Sequence, residues 1–149
     1  MGLDPGVHSG YCILESVDKR IFPVEAAVVE GHLPMCEKIV SGLARWSPDI
    51  VVCELFRLAP YMSTQVSAHD PDLSSSQLQG FVRYIVLPEH LVLVPANMKS
   101  AVPDEELKKL GLWKWEKTEI ISAAENKSRL SVHVHDAMRH AVYYLWRNA

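Results

Sequence analysis

The chain opens Met1-Gly-Leu-Asp-Pro-Gly-Val-His-Ser-Gly-Tyr-Cys-Ile13. A very short apolar run ends in Asp4. Pro5 and Gly6 then force a turn, and after Ser9 and Gly10 the chain runs back as a second apolar segment over residues 11–14. A strand that carries a carboxylate to its tip and folds straight back fixes one candidate metal ligand on rigid backbone. Everything downstream is expected to supply partners for Asp4. With so little chain before Asp4, either this strand is clipped or the natural start lies upstream.

Working outward, Asp18-Lys19-Arg20 reads as a second turn and residues 24–30 as a third strand, which makes an antiparallel meander. Residues 34–46 read as a helix, with Pro34 in its first turn, Ile39, Leu43 and Trp46 on one face, and Pro48 as its stop. The run Asp49-Ile-Val-Val-Cys-Glu-Leu55 is a continuous apolar strand suited to a buried central position, and it ends in Glu54. A polar, Pro-containing loop spans 57–72. A helix is expected over 74–87, a fifth strand over 91–94, a short turn or helix over 97–101, and helices over 103–110, 114–126 and 134–146. This order predicts one α/β domain over residues 1–149. Its mixed sheet has five strands, three antiparallel and then parallel ones, with helices on both faces.

Composition sets limits. A chain of 149 residues, 48% hydrophobic, can bury a sizeable core. No apolar run is long enough to cross a bilayer, and Asp4 and Pro5 interrupt any signal peptide. Cys12, Cys36 and Cys53 fit neither a disulfide framework nor a Cys-x-x-Cys metal site. Cys12 and Cys53 read as buried small hydrophobes in a reducing cytosol, so the expected location is cytoplasmic. A formal charge of −3 argues against nonspecific nucleic-acid binding by bulk charge but not against a local basic surface. Lys99, Lys108, Lys109, Lys114, Lys117, Lys127, Arg129, Arg139 and Arg147 gather in the last third, interleaved with acids. Solvated helix faces would explain them equally well.

Asp4 and Glu54 each end an apolar run. If the first and fourth strands are parallel neighbours, both carboxylates reach one edge of the sheet, where α/β folds build their sites. An acid between Val51-Val52-Cys53 and Leu55-Phe56 costs burial energy unless it is ligated or paired. In Ser131-Val-His-Val-His-Asp-Ala-Met-Arg-His140, helical spacing places His133, Asp136 and His140 on one face, opposite the apolar stripe. His133 and Asp136 are expected at the helix start, where a cap or dipole acid is the lesser alternative for Asp136. His135 reads as a surface or loop histidine, and His140 as a polar residue behind the site rather than a ligand. Hard carboxylates suit Mg²⁺ or Mn²⁺ better than zinc. Such a cluster fits two-metal phosphodiester hydrolysis.

With those residues in view, the chain resembles the RuvC-type Holliday junction resolvases of the RNase H-like superfamily. Gly2 to Ile13 resembles their first hairpin, and Val51-Val-Cys-Glu-Leu-Phe56 their strand with the catalytic glutamate. Val94-Pro-Ala-Asn-Met-Lys-Ser-Ala-Val102 is similar to the segment after their fifth strand, and His133-Val-His-Asp-Ala-Met138 to their closing helix. The first hairpin is shared with sugar kinases and actin-like ATPases, but those need a duplicated domain that this length does not allow.

The resemblance implies a homodimeric endonuclease that uses two Mg²⁺ or Mn²⁺ ions per site to cut four-way DNA junctions symmetrically. Asp4, Glu54, His133 and Asp136 would be the catalytic, metal-binding set, with Asp4 bridging both ions. Lys99 would contact phosphate or stabilise the transition state. Many relatives carry a carboxylate where His133 stands, which leans the metal preference toward Mn²⁺. Phe56 or Tyr61 would stack at an opened junction, with core packing as the alternative for Phe56. Arg57, Arg83 and the basic residues over 99–129, among them Lys108, Lys114 and Lys127, would hold the DNA backbone. The helix over 74–87 would form the dimer contact through Phe81, Tyr84 and Ile85, although intramolecular packing also accounts for Phe81. Trp113 and Trp115 are expected to anchor neighbouring helices rather than stack on DNA. The small size points to a bacteriophage or other mobile-element relative. Two other readings remain at this point: a broader nuclease acting on flaps, forks or RNA, and a catalytically silent DNA-binding dimer, which the full acidic set disfavours.

Overall fold

The computed structural model describes residues 1–56, 74–113, 119–121 and 127–148; at 119–121 and 127–131 it describes the backbone only. Strand β1 (Gly2–Asp4) turns through Pro5 and Gly6 into β2 (His8–Val17). The Ser9 hydroxyl ties this loop by donating to Gly6 O at 2.8 Å and accepting from Gly6 N at 3.1 Å. The second turn is also where it was expected. Asp18 and Lys19 both take positive φ (49° and 63°), the twist that matches a two-residue hairpin, and lead into β3 (Arg20–Glu30). Helix α1 (His32–Trp46), strand β4 (Val51–Leu55), helix α2 (Ser74–Ile85) and strand β5 (Leu91–Pro95) follow. A 3₁₀ segment (Ala96–Ala101), helix α3 (Asp104–Lys109), strand β6 (Glu119–Ile121) and the long helix α4 (Lys127–Arg147) come next among the described residues.

The strand order is β5-β4-β1-β2-β3-β6. β1, β2 and β3 form the antiparallel meander, while β4 pairs parallel with β1 and β5 parallel with β4. All five expected strands are present in the expected mixed sheet. A sixth, β6, adds parallel to Ala27–Val29 at the outer edge of β3. The helix expected over 114–126 is therefore corrected at residues 119–121. Two adjacent isoleucines favour a pleated surface, and the free edge of β3 offers them a ladder that an isolated helix lacks.

Alternation along the strands divides the core in two. Leu3, Tyr11, Ile13, Ala27, Val29, Val51 and Cys53 face α1 and α2, meeting Met35, Ile39, Leu78 and Val82. Cys12, Ala26 and Val28 face α3 and α4, meeting Leu107, Val134, Ala137, Met138 and Val142. Each fully buried large side chain contributes roughly 1.5–3 kcal/mol, so both layers are substantial. Cys12 and Cys53 are buried as expected, and burial pushes their thiols up to about 11 and about 12.

The brief first strand is well held, lying between β2 and β4 at the centre of the sheet. The Met1 nitrogen donates to Ile50 O at 2.8 Å, and Val52 N donates to Met1 O at the same distance. Its length therefore does not loosen Asp4. Among the described residues no helix is long and apolar enough to cross a membrane.

Candidate active site

Parallel pairing of Leu3 with Cys53 sets the next residues, Asp4 and Glu54, side by side at the ends of their strands. Both point to the α4 side, because Gly2 and Val52 do and the side-chain period is two. Helix α4 can lie directly across this surface because β1 and β2 offer glycines there. A Cβ on Gly10 would stand 1.9 Å from His133 O, and one on Gly2 would stand 2.3 Å from Ala137 O. The close crossing carries three α4 side chains to the carboxylates.

His133 Nδ1 lies 3.0 Å from Asp4 Oδ2, and His140 Nε2 lies 2.9 Å from Glu54 Oε2. Lys99, from the 3₁₀ segment after β5, donates to Asp136 Oδ2 at 2.8 Å and reaches Glu54 Oε2 at 3.4 Å. Arg139 donates to Asp136 Oδ1 at 2.5 Å and to Val102 O at 3.1 Å, and it also pairs with Asp104 at the start of α3. Asp136 is thus clamped on both oxygens by fixed cations.

Burial pushes the Asp4 carboxyl above its ordinary range, and the neighbouring Glu54 charge adds to this, against His133 and Lys99, which pull it down. Glu54 goes the other way. Its burial is outweighed by the His140 hydrogen bond and the Lys99 charge, which hold it down at about 2. For Lys99, too, burial is outweighed, mainly by Asp136, and its ammonium is held above the usual range.

The five residues expected at the site, Asp4, Glu54, Lys99, His133 and Asp136, are brought together. Three expectations on α4 are corrected. The helix begins at Lys127, so His133 and Asp136 lie well inside it, and Asp136 is not a cap. Their face is not opposite the apolar stripe but merges with it, since Asp136 is buried beside Val134, Ala137 and Met138. His135 is not a surface residue; it is buried and stacked on Trp113 at 4.2 Å, with the rings 13° apart. Trp113 therefore anchors, as expected, while Trp115 lies outside the described residues. His140 is fully buried and meets Glu54 at hydrogen-bond distance, the contact open to a polar residue behind the site. Arg139 was missed. Its signal was an arginine three residues after a candidate ligand, within side-chain reach on a helix. His8, from the opening stretch, also stands near, its ring centroid 6.1 Å from that of His133.

The peripheral candidates are spread more widely. Lys108 pairs with Glu105 at 2.6 Å and stands 5.4 Å over the Trp113 ring. Phe56 is half-buried, and its N–H donates to Gln79 at 2.8 Å. Arg57, Tyr61, Lys114 and the side chain of Lys127 lie outside the described residues. On α2, Phe81 and Ile85 pack against the core, whereas Tyr84 is 89% exposed.

One ligand atom from each of Asp4, Glu54 and His140 falls within 4.8 Å of the others, close enough to share a metal ion. The donors fit a divalent cation. Asp4 is raised by burial and by a like charge, and a cation beside it would relieve both.

No protein-family profile and no curated protein matches the sequence. Solved structures do match. Thermus thermophilus RuvC in complex with a Holliday junction substrate aligns over 97% of this chain and 93% of its own, at TM-score 0.59 and 15% identity. A second T. thermophilus RuvC structure covers 96% of this chain and 93% of its own, at 0.56 and 16%. The fowlpox virus Holliday junction resolvase covers 98% of this chain and 97% of its own, at 0.51 and 14%. Over nearly its whole length, the chain has the fold of the RuvC and poxvirus Holliday junction resolvases.

Proposed function

We propose that this protein is a divalent-metal-dependent endonuclease, a single RNase H-like domain that resolves four-way DNA junctions. The observation that carries the reading is the convergence of Asp4, Glu54 and Asp136 at one sheet edge, with Lys99 among them. It is supported by a fold whose solved examples include complexes with Holliday junction DNA. Asp4, Glu54 and Asp136 would hold one or two Mg²⁺ or Mn²⁺ ions, with His133 as ligand or orienting group. Bound there, such ions supply Lewis acidity to a water attacking the phosphodiester and to the departing 3′ oxygen. The chain's own groups prepare the place. His133 orients Asp4, Arg139 fixes Asp136, and Lys99 offers a cation to the scissile phosphate. Cutting two strands of equal polarity calls for two sites, so the working form is a homodimer. Tyr84 is its most exposed aromatic on α2 and the natural first contact.

The test is a substrate panel: a mobile four-way junction, a flap and an RNA–DNA hybrid, each with Mg²⁺ and with Mn²⁺. Paired, ligatable nicks in the junction are the expected result, with Asp136→Asn binding the junction without cutting it. Flap or hybrid cleavage as fast as junction cleavage would make it a broader nuclease. Undiminished cutting by Asp136→Asn would remove the site.

Arg139→Ala is expected to slow junction cleavage by roughly 10–100-fold, the range for groups that hold a ligand in place. Asp136 would lose one of its two clamps. Single-turnover rates at saturating metal measure this, and an unchanged rate would show that Lys99 alone fixes Asp136.

A further inference from the structure

We propose that His140 is a metal ligand, completing with Asp4 and Glu54 a mixed nitrogen–oxygen site that favours Mn²⁺ over Mg²⁺. This rests on the metallonuclease reading above and adds to it a donor outside the acidic set.

His140 is fully buried, on the α4 turn after Asp136, and its Nε2 stands 2.9 Å from Glu54 Oε2. Two donors on one octahedral ion with bonds near 2.1 Å stand about 3 Å apart, so this separation suits a shared ion. Its position is fixed by the fold. Gly2 lets Ala137 and Ala141, either side of His140, press against β1, where any Cβ would meet Ala137 O at 2.3 Å. Among the described residues the buried Nδ1 has no hydrogen-bond partner. Metal-binding histidines usually have a partner there that settles the tautomer. Among the described residues none does, and Nε2 presents a proton to Glu54 with the hydrogen on Nε2, or its lone pair to a cation with the hydrogen on Nδ1. His133 differs: it is more exposed and engages Asp4 through Nδ1. An imidazole donor raises affinity for first-row transition metals relative to Mg²⁺, whose preference is for oxygen.

The test uses the full chain freed of metal and loaded with Mn²⁺. Electron spin-echo spectra are recorded on protein with ¹⁴N- and with ¹⁵N-labelled histidine. A directly bound imidazole nitrogen is expected, its coupling changing with the isotope. The coupling should survive in His8→Gln/His133→Gln, which leaves His140 as the imidazole facing Glu54, and should vanish in His140→Gln. Mn²⁺ affinity in His140→Gln, read from the free-ion resonance, should fall at least ~10-fold, and Mg²⁺ affinity less. If His140→Gln fails to fold by circular dichroism, the double variant decides alone. Loss of the coupling in the double variant, or its absence in the unsubstituted protein, overturns the proposal. Junction cleavage measured in parallel keeps the two readings apart. Coupling without cleavage would sink the nuclease and uphold the ligand; cleavage without coupling would do the reverse.

Discussion

Asp4→Asn is expected to abolish cleavage and, at the same time, to make the metal-free protein more stable. Asp4 is buried at the tip of a central strand, and burial with the Glu54 charge raises its carboxyl above the ordinary 3.8. A raised acid carries its penalty where it must ionise. The cost is absent below about 3.8, grows as pH rises through the folded value, and is fully present above it. Asn has nearly the same shape, keeps an oxygen for His133 and carries no charge. The gain at neutral pH is on the order of 1 kcal/mol, or roughly 3 °C in Tm, and it should fade as the pH approaches 4. Cleavage should drop by more than ~10²-fold, beyond what loss of an orienting group causes. Thermal melts with and without Mn²⁺ separate the two effects. The unsubstituted protein should gain about 2.7 kcal/mol at a metal concentration of 100 Kd, and Asp4→Asn should start higher and gain little. A variant that melts lower than the parent and still responds to Mn²⁺ would mean that Asp4 is structural.

That site was partly legible because its signals are local. Asp4 and Glu54 could be read from apolar runs ending in an acid, and His133 and Asp136 from a spacing of three. Parallel pairing of β1 with β4 was a condition of that reading, and the structure meets it. What could not be read depends on how α4 crosses the sheet. The contact of His140 with Glu54 joins residues 86 positions apart; helical spacing put His140 on the site face but did not say which carboxylate it meets. Arg139 resembled the solvated charges around it until its carboxylate partners on α3 and α4 were in place. His135 was misread because a histidine among polar neighbours gives no hint of a tryptophan stacked on it from another segment. β6 escaped because three residues carry too little periodicity, and it is the β3 edge that makes them a strand. The expected start of α4 at 134 is seven residues later than the observed Lys127.

Gly10→Ala tests the crossing itself and should be the most damaging single-methyl change at the site. The added Cβ would meet His133 O at 1.9 Å, His133 C at 2.3 Å and Val134 N at 3.0 Å. All three are backbone atoms within α4, so no side chain can swing aside; the helix must lift or the hairpin must bend. Overpacking of this kind costs roughly 1–3 kcal/mol, a fall of about 3–9 °C in Tm. Lifting α4 by even part of an ångström would also stretch the His133–Asp4 and His140–Glu54 contacts, now 3.0 and 2.9 Å. Cleavage and the Mn²⁺-induced rise in Tm should therefore fail in the fraction that stays folded, well below the melting temperature. Gly80→Ala is the control, since nothing lies within 4 Å of its Cβ position and it sits inside α2. There the methyl removes chain entropy from the unfolded state and should raise stability by about 0.5–1 kcal/mol. If Gly10→Ala melted like the parent and still responded to Mn²⁺, close backbone approach would not be what seats the α4 side chains. Their placement would then have to come from the ion pairs of Asp136 with Lys99 and Arg139, which Arg139→Ala probes independently.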